Sequence, residues 1–138
     1  MSQFPVEPFP GAYQELPNIE IGMENLVYMV QNDDGQIAIR TSQIGSLNWS
    51  EPINIPNASS NQMPAIAFAG ELLYVAWTAS DGSHTLYFTS SYDGGRSFEN
   101  VTQISDAVTM EPPVMKGGQR AQVIYQQTNG RLAAVMLP

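Results

Sequence analysis

Thirteen of the 138 residues are acidic, and Glu15, Asp33, Asp34, Asp81, Asp106 and Glu111 fall in segments that read as turns or links. Two carboxylates facing one another across a pocket could protonate a leaving oxygen and activate a water, the division of labour that glycoside hydrolysis uses. The spacing sets no two of them opposite each other. Asp33, Asp34 and Asp81 lie in Asp-Gly type turns, where a solvated carboxylate is the simpler reading. His84 is the single histidine and cysteine is absent, which leaves no metal cluster and no Ser-His-Asp set. Gly117-Gly118 reads as a hairpin turn with no helix behind it to hold a phosphate. No cofactor is implied.

Recognition fits the side chains better than catalysis. Long polar groups recur just before an opening proline, at Glu15, Gln62 and Glu111, and Gln31, Trp77, Tyr125 and Gln126 stand at the ends of apolar runs. Amides and carboxylates beside aromatic rings can hydrogen-bond sugar hydroxyls while the ring stacks on sugar C–H faces. The competing reading is that Trp77 and Tyr125 pack inside the fold and the polar groups are merely solvated.

The elements that must position these residues announce themselves as a repeat of about 47 residues. Leu26-Val-Tyr-Met-Val30 and Leu72-Leu-Tyr-Val-Ala76 are apolar runs with a central Tyr. Each leads to a polar turn, Asn32-Asp-Asp-Gly35 or Ser80-Asp-Gly-Ser83, and Asp-Gly between alternating runs signals a hairpin. Ile37–Ser42 and Leu86–Ser91 follow, then Trp49 and Phe98, then short fourth strands at Glu51–Ile55 and Asn100–Ile104. Pro17–Ile21, Met63–Ala67 and Glu111–Met115 open the three copies. In the third copy Val123-Ile-Tyr125 and Leu132–Met136 supply the next two strands, and no fourth follows.

Composition agrees: 11 Gly and 10 Pro punctuate the chain too often for a helical bundle. The sequence therefore predicts an all-β chain of about three four-stranded β-propeller blades, roughly 17–56, 64–105 and 112–137, in a single domain over 1–138. Phe4-Pro-Val-Glu-Pro-Phe9 resembles Trp49-Ser-Glu-Pro-Ile53, so an N-terminal strand at 4–9 is expected to complete the last blade, whose unpaired edge invites pairing. At about 60° each, three blades cover half a circle. A homodimer would close a six-bladed ring; the rival is a piece of a longer propeller.

The net charge of −8 repels phosphate, so nucleic acid and anionic membranes are not expected partners. No apolar run reaches bilayer-spanning length and the N-terminus lacks a signal-peptide pattern, so the chain reads as soluble, either cytoplasmic or released without a classical signal. Sequons at Asn48, Asn57 and Asn100 are then chance matches.

One motif is specific. Ser91-Tyr-Asp-Gly-Gly-Arg-Ser-Phe98 resembles the Asp-box, Ser-x-Asp-x-Gly-x-Thr-Trp, of sialidase-like BNR-repeat propellers, with Ser97 for Thr and Phe98 for Trp. Ser42–Trp49 is a degenerate copy with Ile44 in place of the Asp. The resemblance implies a structural box (Ser91, Asp93, Gly95, Ser97, Phe98) joining third and fourth strands, with any ligand on the opposite face of the ring. Sialidases also carry an arginine triad and a Phe/Tyr-Arg-Ile-Pro motif. Neither is recognisable among Arg40, Arg96, Arg120 and Arg131, of which Arg40 and Arg131 are expected to face solvent or a neighbouring blade. The expectation is a non-catalytic, lectin-like or interaction module, against a sialidase-like hydrolase and a ligand-free scaffold.

Overall fold

The computed structural model describes residues 18–46 and 48–138. The N-terminal strand expected at 4–9 and Glu15 lie outside them. Eleven strands form three antiparallel sheets. Blade 1 holds β1 (Asn18–Ile21), β2 (Leu26–Asp33), β3 (Gln36–Gln43) and β4 (Ile53–Ser59). Blade 2 repeats it with β5 (Ala65–Ala69), β6 (Leu72–Thr78), β7 (Thr85–Ser91) and β8 (Thr102–Val108). Blade 3 has β9 (Val114–Lys116), β10 (Gln122–Gln126) and β11 (Leu132–Met136), without a fourth strand among the described residues. A single 3-10 turn, Met23–Asn25, is the only helical segment described.

Alternation along the middle strands explains how the blades stack, since successive side chains leave opposite faces of a strand. Leu73, Val75 and Trp77 of β6 join Tyr28, Val30, Ile37, Ile39 and Ile55 of blade 1 in one core. Tyr74 and Ala76, from the same strand, join Leu86, Ile104, Val123, Tyr125 and Leu137 in a second core toward blade 3. Each large apolar side chain so covered contributes about 1.5–3 kcal/mol. Blade 2 is thus buried on both faces, and the chain forms part of a β-propeller.

The first strands approach one another along the inner side. Gly118 pairs with Ala69 in a parallel bridge, and Gly118 N–H donates to the Phe68 carbonyl while Gly70 N–H donates to that of Gly118, both at 3.2 Å. Gly117 is required here: a Cβ would stand 2.0 Å from the Phe68 oxygen.

The fourth strands begin later and run further than their sequence suggested, because each contains a bulge. Asn54 pairs with Ala38 but Ser59 with Gln36; likewise Gln103 pairs with Tyr87 but Val108 with Thr85. Within the bulges Asn57 (φ 60°) and Asp106 (φ 59°) take the left-handed conformation, which short polar residues tolerate best after Gly. Ile55 and Ala58, like Ile104 and Ala107, are thereby turned to the core. The exits also match: Ser60 N–H donates to Gly35 carbonyl (2.9 Å) as Thr109 N–H donates to that of His84 (3.0 Å).

Gly117→Ala is expected to cost about 1–3 kcal/mol through overpacking against backbone. Urea unfolding of the variant should show a lower midpoint; an unchanged midpoint would mean that the inner strands are not in contact.

Candidate functional site

The register makes Gln31, Trp77 and Tyr125 equivalent positions, each at the end of its blade's second strand. All three are buried. Gln31 Oε1 accepts from the Nε of Arg40 (3.2 Å), whose Nη1 reaches the Ser50 carbonyl (3.0 Å). Arg40 is thus a buried structural cation and not a solvent-facing one. Trp77 is only 2% exposed, yet its ring stacks on that of Tyr87, centroids 6.5 Å apart.

Beside this aromatic pair a cleft of about 180 Å³ opens between the outer strand of blade 1 and the β6–β7 hairpin of blade 2. Asn57 and Ser59 form one wall; Ala79, Ser80 and Asp81 form the other, with Val101 behind. The walls are tied together, Ser59 Oγ to Ser80 Oγ at 2.9 Å. Asn61 Nδ2 also donates to the Ser80 carbonyl (3.2 Å). Asp81 accepts from Ser83 N–H (2.9 Å), and bonding to Ser83 holds its carboxyl below the usual range. The cleft therefore combines the partly exposed Tyr87 ring, backed by the buried Trp77, with amide, hydroxyl and carboxylate groups.

The link residues are placed differently. Gln62 spans two links, its Nε2 donating to the Met110 carbonyl (2.6 Å) and its Oε1 accepting from Thr78 Oγ1 (3.0 Å). Its side chain is committed to bracing the fold. Glu111 and Gln126 are exposed, and Gln126 Nε2 caps the β10–β11 turn through the Gly130 carbonyl (3.2 Å). The structure thus brings Trp77 to the cleft and leaves Gln31, Gln62, Glu111, Tyr125 and Gln126 outside it. Asn57, Ser59, Ser80 and Tyr87 were missed by sequence reasoning; the signal available was the matched pair Asn57 and Asp106, one repeat apart.

At the other end of the same blade interface lies a hollow of about 410 Å³, whose lining includes Glu24, Tyr28, Phe68, Glu71, Asp93 and Arg96. Its rim is the turn Ser91–Phe98, where one carboxylate organises the backbone. Asp93 Oδ1 accepts from Ser91 Oγ (2.7 Å) and Ser97 N–H (2.9 Å), and Oδ2 accepts from Ser97 Oγ (2.6 Å). Ser91 Oγ in turn accepts from Gly95 N–H (2.8 Å). These bonds, first those from Ser97 and then that from Ser91, hold the Asp93 carboxyl far below the ordinary carboxylate range. The turn also locks blade to blade. Tyr28 OH donates to the Gly94 carbonyl (3.0 Å), and Phe98 packs on the first core. Burial foremost, and the Glu24 charge after it, push the Tyr28 phenol up, so it stays a donor.

Among the described residues no group of three or more His, Cys, Asp or Glu is set to hold a metal, and no helix is long and apolar enough to cross a membrane.

No family model and no curated protein matches the sequence. Among solved structures the chain is similar to a sialidase chain described as NanB plus Optactamide, with TM-score 0.63 and 12% identity over 87% of this chain and 21% of that one. It is also similar to a point mutant of the NanB sialidase from Streptococcus pneumoniae, with TM-score 0.60 and 14% identity over 86% and 20%. At such identity the likeness is one of fold, and this chain spans about a fifth of the length of those chains.

Because folding lowers the affinity of Asp93 for a proton, its contribution is full above the unfolded-state pKa, near 4. That contribution is lost as pH falls from there toward the depressed folded value. Asp93→Asn should lower the Tm by several degrees at pH 7, and the gap from wild type should narrow below pH 4. A gap independent of pH would show that the carboxylate charge plays no part in the turn.

Proposed function

We propose that this chain is a non-catalytic, glycan-binding module on a sialidase-like frame, with the Ser91–Phe98 turn acting as a structural Asp-box. The observation that carries the reading is the cleft beside Trp77 and Tyr87, rimmed by Asn57, Ser59, Ser80 and Asp81. The exposed part of the Tyr87 ring, backed by the buried Trp77, can take the C–H face of a sugar ring, while the rim offers both donors and acceptors for hydroxyls. The Asp93 carboxylate is not free for chemistry in this reading, since both its oxygens are occupied within its own turn.

The cleft is small and open, which suits one sugar residue held weakly, and weak sites gain from repetition. Tyr125 and Asp106 occupy the positions of Trp77 and Asn57 one blade on, but Ala133 stands where Tyr87 does. The second position therefore lacks the ring that Tyr87 presents at the first.

A hydrolase acting at the larger hollow is the second reading, favoured by Glu24, Glu71 and Arg96 in its lining, although that hollow lies on the Asp-box side and not on the face where the sialidase resemblance puts a ligand. A glycan array run beside a fluorogenic sialoside assay separates the two. Binding without turnover is the expected result, with quenching or a shift of tryptophan emission and about tenfold weaker affinity in Tyr87→Ala, a loss of about 1.4 kcal/mol. Turnover abolished by Glu71→Gln, with Tyr87→Ala unaffected, would move the function to the larger hollow; silence in both assays would leave a scaffold.

A further inference from the structure

Charge in the cleft beside Tyr87 is one-sided. Among the described residues that line it, Asp81 is the one with a charged side chain. It stands exposed on the rim, and Ser83 N–H donates to its Oδ1 at 2.9 Å. Bonding to Ser83 holds the carboxyl below the usual range, so it is an anion near neutrality. The rest of the lining is neutral: Asn57 offers an amide, Ser59 and Ser80 hydroxyls, and Tyr87 its ring.

No cation is placed to offset this charge. The chain has four Arg and one Lys, and none of them lines the cleft. Arg40 is buried, bonded to Gln31 and to the Ser50 carbonyl. Arg96 lines the larger hollow at the other end of the blade interface. Lys116, Arg120 and Arg131 belong to blade 3, which packs on the opposite face of blade 2, and Arg120 Nη2 donates there to the Leu137 carbonyl (3.1 Å). His84, in the same hairpin as Asp81, stands outside the lining and is the least of the influences on the Asp81 carboxyl. Over the whole chain thirteen acidic residues face five basic ones, so the wider field repeats the sign of the cleft.

These placements bear on which sugars can enter. An acidic sugar seated on the Tyr87 ring would bring its carboxylate toward Asp81 with no cation between them, and like charges so placed repel. A neutral sugar meets hydroxyl and amide partners. An amino sugar adds an ammonium group that the Asp81 carboxylate attracts. In an open site that attraction is modest, and much of the selection comes from rejecting the wrong sign. We propose that Asp81 sets the charge class of the glycan, so that the cleft takes neutral and amino sugars and turns away sialic and uronic acids. This inference rests on the cleft being the glycan site proposed above.

The test is a glycoside array carrying the amino, neutral and uronic forms of glucose, galactose and mannose, together with sialosides, probed with the unmodified chain at pH 7 and low salt. Binding should rank amino over neutral over acidic, by roughly two- to fivefold per step. Salt at about 1 M, which shortens the reach of a charge to about 3 Å, should bring the three classes to within about twofold. Asp81→Asn should do the same at low salt, whatever affinity the classes then share. The salt series uses the unmodified chain and so does not depend on how that variant folds. Neutral sugars bound with no rank by charge, or a sialoside or uronide bound best, would overturn the charge selection and leave the glycan site standing. A rank that survives both high salt and Asp81→Asn overturns the role of Asp81. Silence across the whole array overturns the selection together with the glycan reading.

Discussion

Sheet faces that are apolar on both sides must be covered on both sides, and the packing of one blade on the next is the interaction on which this structure rests. Strand β6 carries it most plainly. Alternate residues, Leu73, Val75 and Trp77, enter the core shared with blade 1, while Tyr74 and Ala76 enter the core shared with blade 3. A two-layer sandwich would leave one of these sets in water. The inner strands must then converge, and Gly117 lets the blade 3 backbone meet that of Phe68. Polar locks add direction to this packing. Tyr28 OH reaches the Gly94 carbonyl, and Asn18 Nδ2 reaches the Pro64 carbonyl at 2.6 Å.

The outer strands solve a second problem, how to leave one sheet and enter the next. The left-handed residue at Asn57 or Asp106 makes the bulge that turns the following Ala inward. The chain then exits through a hydrogen bond to the preceding hairpin. Such bulges re-aim a strand and concentrate at sheet edges. Here the same device shapes the cleft, because Asn57 and Ser59 form the wall opposite Ser80 and Asp81. Fold and candidate site therefore share residues, and the site lies at the seam between two blades.

Much of the fold was legible because it repeats. The apolar runs Leu26–Val30 and Leu72–Ala76 and the Asp-Gly turns located the middle strands to within three residues. The fourth strands were misplaced by two to four residues, since a bulge breaks the alternation on which such reading depends. The first strands were set one to three residues early, because the opening prolines precede the pairing instead of starting it. The site was far less legible. Equivalence of Gln31, Trp77 and Tyr125 could be read from the repeat, but only coordinates reveal that Arg40 folds back on Gln31 and that Gln62 braces two links. Side-chain partners distant in sequence leave no periodic trace.

Blade-on-blade packing also explains why the second strand of blade 2 is covered on both faces while blade 3 shows Val114 and Leu132 to solvent: only the middle blade has a described neighbour on each side. The most direct test is a NOESY spectrum of the labelled chain. Cross-peaks between the Tyr28 and Phe68 rings, 4.9 Å apart at their centroids, should appear together with cross-peaks from Tyr74 to the methyls of Val123. Tyr28 and Tyr74 contacts confined to their own sheets, with no signal between blades, would contradict the stacked arrangement.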